Sequence, residues 1–95
     1  MLAELQALQP EIVSRKMFGM PSLTLGGKPF AGLTGSDMIF KLPDPALARA
    51  LSLPGAHRFE PMAGRKMKAW VQVPPEHAAE WPVLAEEALH NHLSA

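Results

Sequence analysis

Gly26-Gly27 sits between two short apolar runs, Leu23-Thr24-Leu25 and Pro29-Phe30-Ala31. Two residues able to adopt positive φ between such runs are the signature of a two-residue β-hairpin. A hairpin joins antiparallel strands, so this chain must build an antiparallel sheet. A sheet with one buried face needs a second layer to cover it. With 95 residues there is room for one such domain, residues 1–95, and only a small core.

The remaining punctuation places the other elements. Leu2, Leu5 and Leu8 recur at helical spacing, and Pro10 ends or redirects that helix, with an extension through Glu11 to Ser14 as the alternative. Upstream of the hairpin, Phe18 and Met20 fall on even positions, then Leu23 and Leu25 on odd ones. Side chains alternate along a strand, so this switch predicts a bulge or break at Pro21. Gly35-Ser36-Asp37 is a turn, and Met38 to Leu42 is the third strand. Asp44-Pro45 reads as a helix start, with Asp44 as N-cap and Leu47, Ala50 and Leu51 as the buried stripe. Pro54-Gly55 stops it. His57 to Glu60 is a short fourth strand, and Pro61 to Lys66 a loop or wide turn.

Met67 to Val73 is the clearest strand. Met67, Ala69, Val71 and Val73 share one face, and Lys68, Trp70 and Gln72 the other. A short helical turn covers Glu76 to Ala79. Trp81, Leu84, Ala85, Ala88, Leu89 and Leu93 then define one side of a last helix. The order α-β-β-β-α-β-β-α predicts a two-layer α+β domain: a five-stranded antiparallel sheet with helices on one face.

Composition narrows the function classes. The chain has no Cys, which excludes disulfide frameworks, thiol catalysis, iron–sulfur clusters and thiolate zinc sites, and fits a reducing cytoplasm. Hydrophobic residues make up 47% and charged residues 19%, the balance of a folded chain. Nine basic residues meet nine acidic ones, so no global field attracts nucleic acid or an anionic membrane. No apolar run reaches the ~20 residues of a membrane span. The four His are scattered; His90 and His92 are two apart on a helix and cannot share a metal there. His92 lies near the apolar stripe, where a helix-end imidazole meets the last carbonyls. No Ser lies in a G-x-S-x-G elbow, and Gly26-Gly27 lacks the spacing of a phosphate loop. The sequence predicts no catalytic residue, metal or cofactor.

The basic residues are less evenly spread. Arg58, Arg65, Lys66 and Lys68 crowd one stretch, and Arg15-Lys16 opens the first strand. Basic side chains beside Trp70 on a sheet are one way of holding single-stranded nucleic acid; a solvated edge whose lysines deter strand addition is the plainer reading.

Several segments in order carry a resemblance: Ser14-Arg15-Lys16-Met17-Phe18-Gly19, the Gly-Gly hairpin with Lys28 and Phe30 after it, and Ile39-Phe40-Lys41-Leu42. Phe59-Glu60-Pro61-Met62, Gly64-Arg65, Met67-Lys68-Ala69-Trp70 and Val73-Pro74 follow. Together they resemble the N-terminal domain of the TfoX/Sxy family, from about Val13 to Leu93. The resemblance implies a secretion-chaperone-like α+β fold and a cytoplasmic bacterial protein. Its best-known full-length members regulate natural competence beside a transcription factor of the cyclic-AMP receptor type, and carry a second, C-terminal domain that would begin where this chain ends. Where the family often has Gly-Tyr-Gly after the opening motif, this chain has Met20-Pro21-Ser22. The family brings no established catalytic residues.

Three expectations follow. The chain is a regulatory or adaptor module working through protein contacts, with nucleic-acid binding as the alternative. Arg15, Lys16, Arg65 and Lys66, with Lys68 and Trp70 beside them, form one binding patch. Trp70, on the face away from the helices, is either the centre of a homodimer or shielded within one chain by the Pro61–Lys66 loop.

Overall fold

The structure, a computed structural model, describes residues 5–7, 9–17, 20–62 and 64–94. Residues 5–7 are helical, and Pro10 and Glu11 turn the chain out of that helix. Four strands follow: β1 (Val13–Met17), β2 (Met20–Leu25), β3 (Lys28–Thr34) and β4 (Asp37–Lys41). Helix α1 (Ala46–Leu51) leads to β5 (His57–Met62) and β6 (Arg65–Val73). A 3-10 helix, Pro75–Glu80, runs into α2 (Trp81–Ser94). The sheet order is β1-β2-β3-β4-β6-β5, every neighbour antiparallel.

The α+β class and the antiparallel sheet are as expected, but the sheet has six strands instead of five. The stretch from Arg15 to Leu25 is two strands folded back on one another, with Met17 opposite Met20. Pro21 is not a bulge: Lys16 faces Pro21 and Arg15 faces Ser22 without a break. The β2–β3 ladder begins at Ser22, so the N–H that Pro21 lacks is not needed there. The register shift lies further on, between Leu23 and Thr24, where β3 carries Phe30 as an additional residue. That shift lets Phe30 and its neighbour Ala31 both enter the main core.

The main core lies between the sheet and the helices. Phe30, Phe40, Leu42, Val71 and Val73 meet Leu84, Ala85, Ala88 and Leu89 of α2 and Leu47 and Ala50 of α1. Leu5 and Ile12 close it from the N-terminal side; Leu2 and Leu8 lie outside the described residues. Leu93 drops out of the expected stripe and is 52% exposed. His92 does not bond its own helix end. Its Nε2 lies 2.8 Å from the Leu25 carbonyl, and its ring rests on Phe30, so it ties α2 to the β2–β3 hairpin.

Two further expectations need correction. Asp44 does not cap α1: Pro45 holds the N-cap position without a side-chain bond, and main-chain carbonyls of Pro43 and Pro45 receive the N–H groups of Leu47 and Arg49. The stretch from Pro61 to Lys66, expected as a loop or wide turn, is a tight hairpin between paired strands. Met62 pairs with Arg65, and Gly64 at φ +79° supplies the backbone conformation the reversal requires.

Leu84 is buried under α2 while Leu93 on the same helix faces solvent. Leu84→Ala should lose about 2–5 kcal/mol by urea unfolding, and Leu93→Ala should stay within about 0.5 kcal/mol of the parent. Equal effects at the two positions would mean that α2 is not docked by this face.

Candidate functional site

Among the described residues β1 is one edge of the sheet, and its Val13, Ser14, Arg15 and Lys16 are all exposed. It is fastened from one side. The buried hydroxyls of Ser22 and Thr24 donate to the carbonyls of Arg15 (2.7 Å) and Val13 (3.1 Å). Those carbonyls therefore point at β2. Because main-chain groups alternate along an antiparallel strand, the N–H and C=O of Ser14 and Lys16 point outward, away from the sheet. No sequence signal singled out Ser22 and Thr24; hydroxyls at alternate positions of a strand are the trace they leave.

The basic residues do not converge. Arg65 and Lys66 open β6, with β2, β3 and β4 lying between that strand and β1. The row through Arg15 runs by Ser22, Gly32 and Ile39 to Gln72, at the opposite end of β6 from Arg65. At ~4.8 Å per strand and ~3.3 Å per residue, the pairs are roughly 20 Å apart across the sheet and as far again along it. The strand order does not place the two pairs side by side. The side chains of Arg65 and Lys66 lie outside the described part. Lys68 is exposed, and its carbonyl accepts the Arg58 Nε at 3.3 Å.

Trp70 lies on the face away from the helices, as expected, but it is only 4% exposed. It forms a second core with Ile39 and Phe59, joined by half-buried Met20, Met67 and Ala69. Met67 and Ala69 were expected under the helices with Val71 and Val73. They pack here instead because the β5–β6 register shifts: Arg58 faces Val71, but Phe59 faces Met67. Shielding within one chain is therefore what the structure shows, and Trp70 offers a partner neither an apolar patch nor a stacking platform.

The open apolar surface is elsewhere. On the first four strands, Ser14, Pro21, Leu23, Leu33 and Met38 line a groove of about 200 Å³, completed by Ser22 and Gly32. Leu33 on its wall is 40% exposed. In the strand register Ser14 faces Leu23 and Lys16 faces Pro21, so both stand on the groove's side of β1. Four strands contribute to this groove, so no local pattern in the sequence announces it. Two polar hollows are also present, one by His57, Arg58, Glu60 and Gln72 and one between α1 and the end of α2. Their polar groups are largely spent on structure: Gln72 donates to Asp37 at 2.7 Å, and Arg49 pairs with Glu87 at 3.0 Å. Among the described residues no three His, Asp or Glu gather as metal ligands, and no helix is long and apolar enough to cross a membrane.

The described residues thus form a small antiparallel sheet with helices on one face, an open edge and an apolar groove beside it. The chain belongs to the TfoX N-terminal domain family, whose profile matches residues 3–91. That family is associated with competence regulation and is not a known enzyme family. No curated protein and no solved structure matches the chain.

With Trp81→Phe leaving Trp70 as the sole indole, the emission should be blue-shifted and resist iodide quenching. Trp70→Ala should cost about 3–5 kcal/mol of stability. Free quenching, or a truncation without cost, would return Trp70 to the surface.

Proposed function

We propose that this chain is a non-enzymatic regulatory or adaptor module of the cytoplasm that acts through protein–protein contacts. The observation that carries the reading is the groove beside β1. Exposed Leu33 and half-buried Leu23, over buried Met38, line it next to a strand whose outward main-chain groups have no neighbouring strand among the described residues. Apolar surface combined with unpaired strand edge is what proteins use to hold one another, and gives nothing for bond-making chemistry. Family membership supports a regulatory reading, since the family is associated with competence regulation.

Nucleic-acid binding is the weaker reading. It drew on a patch joining Arg15, Lys16, Arg65 and Lys66 and on Trp70 as a stacking surface. The sheet separates the first and the second core buries the second.

Immobilised chain should retain a protein from host-cell extract after nuclease treatment and a high-salt wash. Counterion release makes phosphate-backbone binding fall steeply with salt, whereas apolar contact holds. A retained species that vanishes with nuclease, or that salt strips in proportion to its concentration, would overturn the adaptor reading in favour of the nucleic-acid one.

A further inference from the structure

The β1 edge has more specific chemistry than its openness alone. β1, β2 and β3 together carry Arg15, Lys16 and Lys28 and no carboxylate. The chain as a whole is neutral, so these three strands are locally cationic, with exposed Glu11 two residues before β1 as the neighbouring acid. Arg15 and Lys16 are consecutive on a strand, so they project to opposite faces. Lys16 stands on the groove side with Ser14; Arg15 stands on the other face with Val13, itself 46% exposed. Ser14 is small, and it lies between the open edge and the groove walls.

We propose that β1 is a strand-addition site for an extended acidic segment of a partner protein. The assignment rests on the adaptor reading and names its site and the chemistry of its partner. The added strand bonds the outward N–H and C=O groups of Ser14 and Lys16, extending the sheet to a seventh strand. Its side chains alternate as those of β1 do. An apolar residue opposite Ser14 enters the groove against Leu23 and Leu33, and neighbouring acids meet Lys16 on one face and Arg15 on the other.

Charge decides between this occupant and a second copy of the chain. Two-fold pairing of β1 with itself about its midpoint sets Arg15 against the partner's Arg15, with Lys16 of each copy nearby. Directly opposed like charges destabilise a strand pair, and no acid on β1, β2 or β3 offsets them. An acidic strand reverses the sign of every one of these contacts.

The test uses the whole chain, ¹⁵N-labelled, and a short capped peptide of β-branched residues bearing two adjacent acids and one Leu. Binding should slow amide exchange at Ser14 and Lys16 by about tenfold or more, while amides already bonded within the sheet change little. The same peptide with Lys in place of its acids, or N-methylated at alternate amides, should bind at least about tenfold more weakly, a readable step in affinity. Ser14→Pro removes one outward N–H without touching the β1–β2 bonds and should weaken binding similarly, while Ser14→Thr retains it. R15E/K16E should invert the preference, favouring the Lys peptide. Shifts confined to the groove with no protection at Ser14 and Lys16, or equal affinity for acidic and basic peptides, would overturn the proposal. So would single-stranded DNA competing at this edge more strongly than the acidic peptide. An extract protein held equally well by the parent and by R15E/K16E would also overturn it, and would leave the adaptor reading standing.

Discussion

The ladder between β4 and β6 holds the domain together. It joins two pieces that local contacts alone would leave apart: the β1–β4 meander and the β5–β6 hairpin. Met38 pairs with Val73 and Phe40 with Val71 across a long stretch of intervening chain. Side chains alternate on both strands, so the same ladder seals two cores. Phe40 and Val71 face the helices, while Ile39 and Trp70 face the other way, and all four are buried. The bond from Gln72 to Asp37 pins its end. Helix α1 is the connection this pairing demands, carrying the chain from β4 past β6 to the far edge at β5.

Irregular pairing aims the side chains that regular pairing would misdirect. The additional residue at Phe30 turns a large ring toward α2, where His92 packs on it. The shifts between β5 and β6 bring Met67, Ala69 and Phe59 around Trp70, so a sheet face without helices still closes over its indole. Where β6 departs from regular pairing, the Lys68 carbonyl takes the Arg58 guanidinium. Each departure from the ideal ladder comes with a compensating contact.

Elements with strong local signals were legible in the sequence. The Gly26-Gly27 hairpin, the Met67–Val73 strand and the α2 stripe each rest on adjacent or periodic residues, and each is present. Errors arose where distant residues decide. Pro21 looks like a break because its cost depends on which neighbour needs its N–H, and none does. Asp44 looks like a cap because capping residues favour that position, but Pro45 occupies the N-cap. Alternation placed Trp70 on the right face, but no strand pattern reveals that β5 curls against it. The basic residues are governed by the same kind of long-range arrangement. Spacing along the chain suggested a cluster, and the strand order, a property of the whole sheet, spread them out. The groove and the fastening of β1 by Ser22 and Thr24 belong to the same class of feature, assembled from several strands at once.

That fastening has a consequence for how the domain opens. β1 exposes nearly every side chain described on it, so it is held by main-chain ladder and two hydroxyls with little apolar burial of its own. Lifting it away leaves both cores closed, whereas parting β4 from β6 uncovers both. The sheet is thus graded, with a cooperative centre and one edge that releases first. A strand laid along that edge stiffens the element with the most freedom to lose, so occupancy would be read out as order in β1 and not as a change of fold.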